Sequence, residues 1–142
     1  MRDLARNIGL ATLIPPAVLA ADNVPVSVDL LGFNQAVIAI HTGVGGITFT
    51  GTNKIDFALT HSDDNTTFVP VEAGDVQGVD VLAGGIVLGL RTAQADPKVT
   101  KLGYVGNKRY LKLLADFSGT HGTGTAISAL LIKGQAAKRP VA

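Results

Sequence analysis

Residues 55–71, IDFALTHSDDNTTFVPV, constrain the fold more than any other stretch of the chain. Ile55, Phe57 and Leu59 alternate with Asp56 and Thr60, the two-residue period of a strand with one buried face. Ser62, Asp63, Asp64 and Asn65 follow, and their short side chains bond the nearby backbone in turns. Phe68, Val69 and Val71 then resume the apolar run. The segment reads as a strand, a turn and a second strand: scaffolding that offers no nucleophile and base.

The same pattern recurs along the chain. Val26, Val28 and Leu30 alternate with Ser27 and Asp29. Residues 35–41, QAVIAIH, are apolar on both faces and read as a strand buried on both sides. Strands are expected at 54–61, 67–71, 98–104, 108–117 and 126–133. In 108–117, Leu111, Leu113 and Ala115 share one face, and Tyr110, Lys112, Leu114 and Asp116 the other. Leu111, Leu113, Ile127, Ala129 and Leu131 are the expected core positions of the last two strands, with Tyr110 and Leu114 the alternative core face of 108–117. Residues 72–98 are less regular, with Gly74, Gly78, Gly84, Gly85 and Pro97, and 85–90 is a strand or part of a long excursion.

Short strands with frequent turn signals imply an all-β, single-domain antiparallel β-sandwich, jelly-roll-like. Glycine accounts for 17 of 142 residues, clustered between apolar runs. Aromatics are only 5% of the chain, so the core must be aliphatic. A chain of this length can bury a real core as one domain.

The two ends read differently. Residues 1–25 hold Pro15, Pro16 and Pro25 and no clear strand pattern, and read as an arm. Leu4, Ile8, Leu10 and Leu13 could form a short helix, weakened by Gly9. Residues 26–133 form the expected sandwich, and 134–142 a short basic tail. Terminal segments order when something ties them down, so both ends are expected to lie on neighbouring chains. The residues expected to make those contacts are Arg2, Leu4, Arg6, Ile8, Leu13, Lys138 and Arg139. Arg2 and Arg6 before the apolar stretch 8–20 also suggest a secretory leader, but Pro15 and Pro16 interrupt it. The stretch is too short and too broken for a membrane span.

No pattern of reactive residues emerges. His41, His61 and His121 show no H-x-H or H-E-x-x-H spacing and read as polar residues at strand ends and in a turn. Asp63, Asp64 and Asn65 lack the Gly and downstream Glu of a calcium loop. Gly43-Val44-Gly45-Gly46 lacks the Gly-Lys-Ser/Thr ending of a phosphate loop. There is no G-x-S-x-G elbow and no cysteine, hence no thiolate chemistry. Lys98 and Lys101, and Lys108, Arg109 and Lys112, read as a solvated face; Lys138 and Arg139 are better placed to meet an acidic partner. A net charge of +1 gives no sign of direct nucleic-acid binding. The expectation is a protein that is not an enzyme and needs no cofactor or metal.

Four features together resemble a known family. They are Asp29-Leu30-Leu31-Gly32-Phe33, the S-D-D-N-x-x-F turn from Ser62 to Phe68, the G-Y-x-G-x-K-R-Y segment from Gly103 to Tyr110, and a closing apolar strand with a basic, proline-containing tail. The G-Y-x-G-x-K-R-Y segment is the most specific. The combination resembles small virion proteins of tailed bacteriophages, in particular those that decorate or cement the capsid. The resemblance implies a structural protein made in the host cytoplasm and carried on the capsid exterior. It also implies the major capsid protein as partner and a homotrimer at three-fold positions. A head–tail connector or tail component is the first alternative, and a host-surface or carbohydrate-binding virion module the second. The second would want aromatic platforms, and this chain has no Trp and only Tyr104 and Tyr110.

Overall fold

The computed structural model describes residues 3–141. Its strands, in chain order, are β1 (Gly9–Leu19), β2 (Val28–Asp29), β3 (Phe33–Thr42), β4 (Lys54–Ser62), β5 (Val69–Pro70), β6 (Val76–Gln77), β7 (Ile86–Leu90), β8 (Lys98–Tyr104), β9 (Tyr110–Ser118) and β10 (Thr125–Ala136). They form two antiparallel sheets of five strands each. Sheet A runs β1-β10-β3-β8-β6. Sheet B runs β2-β9-β4, and the far edge of β4 is shared between β5 and β7. The chain is an all-β sandwich.

Alternation places the core between the sheets. Ile55, Phe57 and Leu59 on β4, and Leu111, Leu113 and Ala115 on β9, are fully buried. Sheet A answers with Ala36, Ile38 and Ile40 of β3, Leu102 of β8, and Ile127, Ala129 and Leu131 of β10. The leucine, isoleucine and phenylalanine side chains among these each gain about 1.5–3 kcal/mol from burial, and the interior is mainly aliphatic, with Phe49, Phe57 and Tyr104 buried among the aliphatic residues.

The connections follow the expected turn chemistry. Asp64 Oδ1 accepts hydrogen bonds from the backbone N–H groups of Thr66 and Thr67, each at 2.8 Å, and from the Ser62 hydroxyl at 2.8 Å. Those donors favour the carboxylate and hold the Asp64 carboxyl at about 2. Asn65 takes the left-handed conformation, φ 58°, that the turn requires.

The structure departs from the sequence reading in several places. Residues 9–19, read as arm, are the edge strand of sheet A, paired antiparallel with β10. Leu13, read as a partner contact, is fully buried beside Ile14 and belongs to the core. Register shifts between Thr12 and Ile14 and between Ile14 and Ala17 break the alternation and absorb Pro15 and Pro16. Proline is tolerated there because an edge strand need not donate on its outer side. At the other end, β10 continues through Ala136, three residues into the expected tail. Residues 67–71 supply only the two-residue β5, with Val69 exposed and Val71 buried. Residues 72–98 resolve into a single 3₁₀ turn at Ala73–Asp75, then β6 and β7.

Candidate interaction surface

Three groups come close to a reactive cluster. His61 of β4 and Tyr104 of β8 join the two sheets, with Nδ1 2.8 Å from the tyrosine hydroxyl. The backbone N–H of Lys108 donates to that same hydroxyl at 3.1 Å. Asp75 lies 3.9 Å from His61 Nε2, which favours the tautomer with its proton on Nε2. Nδ1 then accepts the Tyr104 proton. Burial lowers the His61 pKa, against the opposing pull of Asp75, and burial raises that of Tyr104. Both groups are therefore held neutral. The arrangement is a polar tie between sheets, bordering an open cleft of about 530 Å³ that Glu72 and Asp75 also line.

His121 is also structural. Its Nε2 donates to the Ser118 carbonyl at 2.8 Å, and its ring meets Phe117 edge-on at 4.7 Å. His121 Nδ1 is buried and has no hydrogen-bond partner among the described residues. His41 lies exposed on β3. Among the described residues, no three His, Cys, Asp or Glu side chains are grouped to hold a metal ion.

The outward faces of the two sheets differ in kind. On sheet B, the outward residue Asp56 is 5% exposed, with Lys54 Nζ and Arg91 Nη2 each 2.9 Å from its carboxylate. Lys112 lies 4.0 Å over the Phe68 ring, and Asp116 pairs across from Asp56. That face is charged, as a solvated sheet face should be.

Sheet A presents one cross-strand row of aliphatic side chains and two in which aliphatic and polar residues mix. Leu10 of β1, Ile132 of β10 and Val37 of β3 stand in one row. Thr12, Leu130, Ala39 and Lys101 form the next. Ser128, His41 and Val99 form a third. Leu10 is 62% exposed, Val99 57% and Leu130 39%. These rows hold one lysine and no carboxylate. Beyond them, Val18 and Ala126 line a shallow apolar groove of about 460 Å³ with Pro16 and Pro97. The inner face of β3 lies in the core, but the outer face, read from sequence as equally buried, keeps Val37 and Ala39 only half-buried and His41 exposed.

The structure brings most of the sequence-predicted contact residues to one corner of this sheet. The Val141 N–H donates to the Arg6 carbonyl at 2.9 Å, tying the tail to the segment before β1. Leu4 and Arg6 are exposed there, Ile8 is half-buried, and Lys138 and Arg139 are exposed on the tail. Asp3 lies 3.9 Å from Arg6. Arg2 falls outside the described residues. Leu13 is on the opposite, inward face. The outward residues of β1, β3, β8 and β10 were missed by the sequence reading. Their signal was present in QAVIAIH and in AISALLIK, which are apolar at both parities.

The G-Y-x-G-x-K-R-Y segment ends β8 and opens β9. Arg109 grips Asp29 through Nε and Nη2 at 2.8 and 2.6 Å, and this pairing holds the Asp29 carboxyl at about 2. Lys108 pairs with Asp63 at 2.6 Å. The basic residues of this motif are thus engaged within the chain. No family model matches the sequence, and no curated protein or solved structure shows detectable similarity to it.

Proposed function

We propose that this chain is a structural virion protein that docks on the outer surface of a tailed-phage capsid and stabilises the shell. The observation that carries the reading is the outer face of sheet A. Strand β3 has the composition of a doubly covered strand but only one cover, and exposed apolar patches of this kind mark interaction sites. A basic corner adjoins the patch, so a partner with an apolar centre and an acidic rim fits it. The sequence resemblance to capsid decoration proteins gives that partner a candidate, the major capsid protein. Assembly as a homotrimer at three-fold positions extends the same reading. Closed symmetry repeats one patch several times, and repeated weak attachments add up to firm binding.

The test compares phage particles with and without this protein during heating or at low ionic strength. Particles that carry it should retain DNA to higher temperature. Equal retention, with the protein shown to be absent from one sample, would overturn the cement reading.

A further inference from the structure

The unusual edge of this sandwich belongs to β9. This strand has nine residues, yet β2 pairs only with Tyr110 and Leu111, followed by one bond from Leu30 N–H to the Arg109 carbonyl at 2.9 Å. Among the described residues, the rest of that edge has no strand beside it. Backbone groups two residues apart point the same way in a strand. The backbone N–H and C=O groups of Leu113, Ala115 and Phe117 therefore point to the open edge, in line with those of Leu111, while their side chains point into the core. A run of that length could accept another strand, since ordinary strands are about five or six residues long.

Side chains fill the place of the missing strand. Asn23 Nδ2 donates to the Leu113 carbonyl at 3.2 Å, and Asn23 Oδ1 accepts from the Ala115 N–H at 2.7 Å. One carboxamide thus supplies the donor and the acceptor that a neighbouring strand would supply. Asp22 Oδ1 accepts from the Phe117 N–H at 2.7 Å. Pro25, two residues on, has no N–H to offer a further strand. Val24, between them, is 86% exposed, so the segment is fastened by these polar contacts and not by burial.

We infer that residues 20–27 are an edge guard, in which Asn23 and Asp22 occupy the backbone groups of β9 and prevent a second copy of this chain from pairing there. An unguarded edge of this kind is self-complementary. Two β9 strands related by a two-fold axis pair antiparallel, with the same groups used on both sides. The guard closes this edge to that pairing.

The experiment compares the wild-type chain with Asn23→Ala and with the double variant Asp22→Ala/Asn23→Ala. Amide hydrogen exchange is read at Ala115 and Phe117, and sedimentation is followed over a range of protein concentrations. The double variant should exchange those two amides about tenfold faster at low concentration. At high concentration it should form species larger than any the wild type forms. Asn23→Asp, which keeps the acceptor for Ala115 but loses the donor to Leu113, should fall between the two. It also serves if the double variant does not fold. Val24→Ala should behave as wild type. Unchanged exchange at Ala115 in folded Asn23→Ala would overturn the inference. So would sedimentation identical to wild type at every concentration.

Discussion

Leu130 and Leu131 are adjacent residues of the same type on β10, and the sandwich assigns them opposite fates. Leu131 is fully buried between the sheets, whereas Leu130 is 39% exposed on the outer face of sheet A. Leu131→Ala deletes about three methylene equivalents at about 0.8 kcal/mol each, and its cross-strand neighbours Ile38 and Ala11, held in the sheet, leave a cavity that adds to the loss. The expected cost is about 3–4 kcal/mol, within the range for buried leucines. Leu130→Ala loses part of the same transfer term, but water fills the space and no cavity forms. Its cost should be about 1 kcal/mol or less. Urea unfolding followed by circular dichroism measures both, with an unchanged m-value showing that the variants differ in stability alone. The binding order should be reversed: Leu130→Ala, still folded, should bind capsids more weakly than wild type. Equal costs at the two positions, or the larger cost at Leu130, would refute the assigned faces.

Further outcomes follow from particular contacts. The His61 pKa is lowered in the fold, so below its ordinary value of 6.5 the unfolded chain takes up a proton that the folded chain refuses. Stability should fall as pH drops below about 6.5, and His61→Gln, less stable at neutral pH, should lose that slope. The lowered Asp29 and Asp64 carboxyls contribute stability above 3.8 that is lost as pH falls toward about 2, visible as acid unfolding that is less steep in Asp64→Asn. Asp56→Ala leaves Lys54 and Arg91 without their shared carboxylate and should cost about 2–3 kcal/mol in urea unfolding. Gly46→Ala would drive a Cβ onto the Gly124 carbonyl oxygen, whereas nothing lies within 4 Å of the corresponding position at Gly51. Thermal unfolding should show a large loss for Gly46→Ala and almost none for Gly51→Ala.

The strands legible in sequence are those whose alternation is unbroken. Residues 98–104 coincide with β8, and the inward sets of β4, β9 and β10 are the ones read from their period. β1 was hidden because its two register shifts scramble the parity of Leu10, Leu13 and Ile14, and because Pro15 and Pro16 argue against any strand but an edge. The interaction face was hidden for a different reason. An apolar run at both parities says that two faces want cover, but not whether the second cover is the same chain or another. QAVIAIH was accordingly read as doubly buried, when its outer side is open. The guard at Asp22 and Asn23 could not be read at all, since a carboxamide meeting a backbone about ninety positions away leaves no local pattern.

Reconstruction of intact particles by cryo-electron microscopy tests the central claim most directly. Density for this chain should lie on the outer capsid surface, repeated around the shell, with Leu10, Leu130 and Val99 of sheet A turned toward the capsid protein and the charged face of sheet B toward solvent. Density confined to the head–tail junction, or sheet B against the shell with the sheet A face bare, would contradict it.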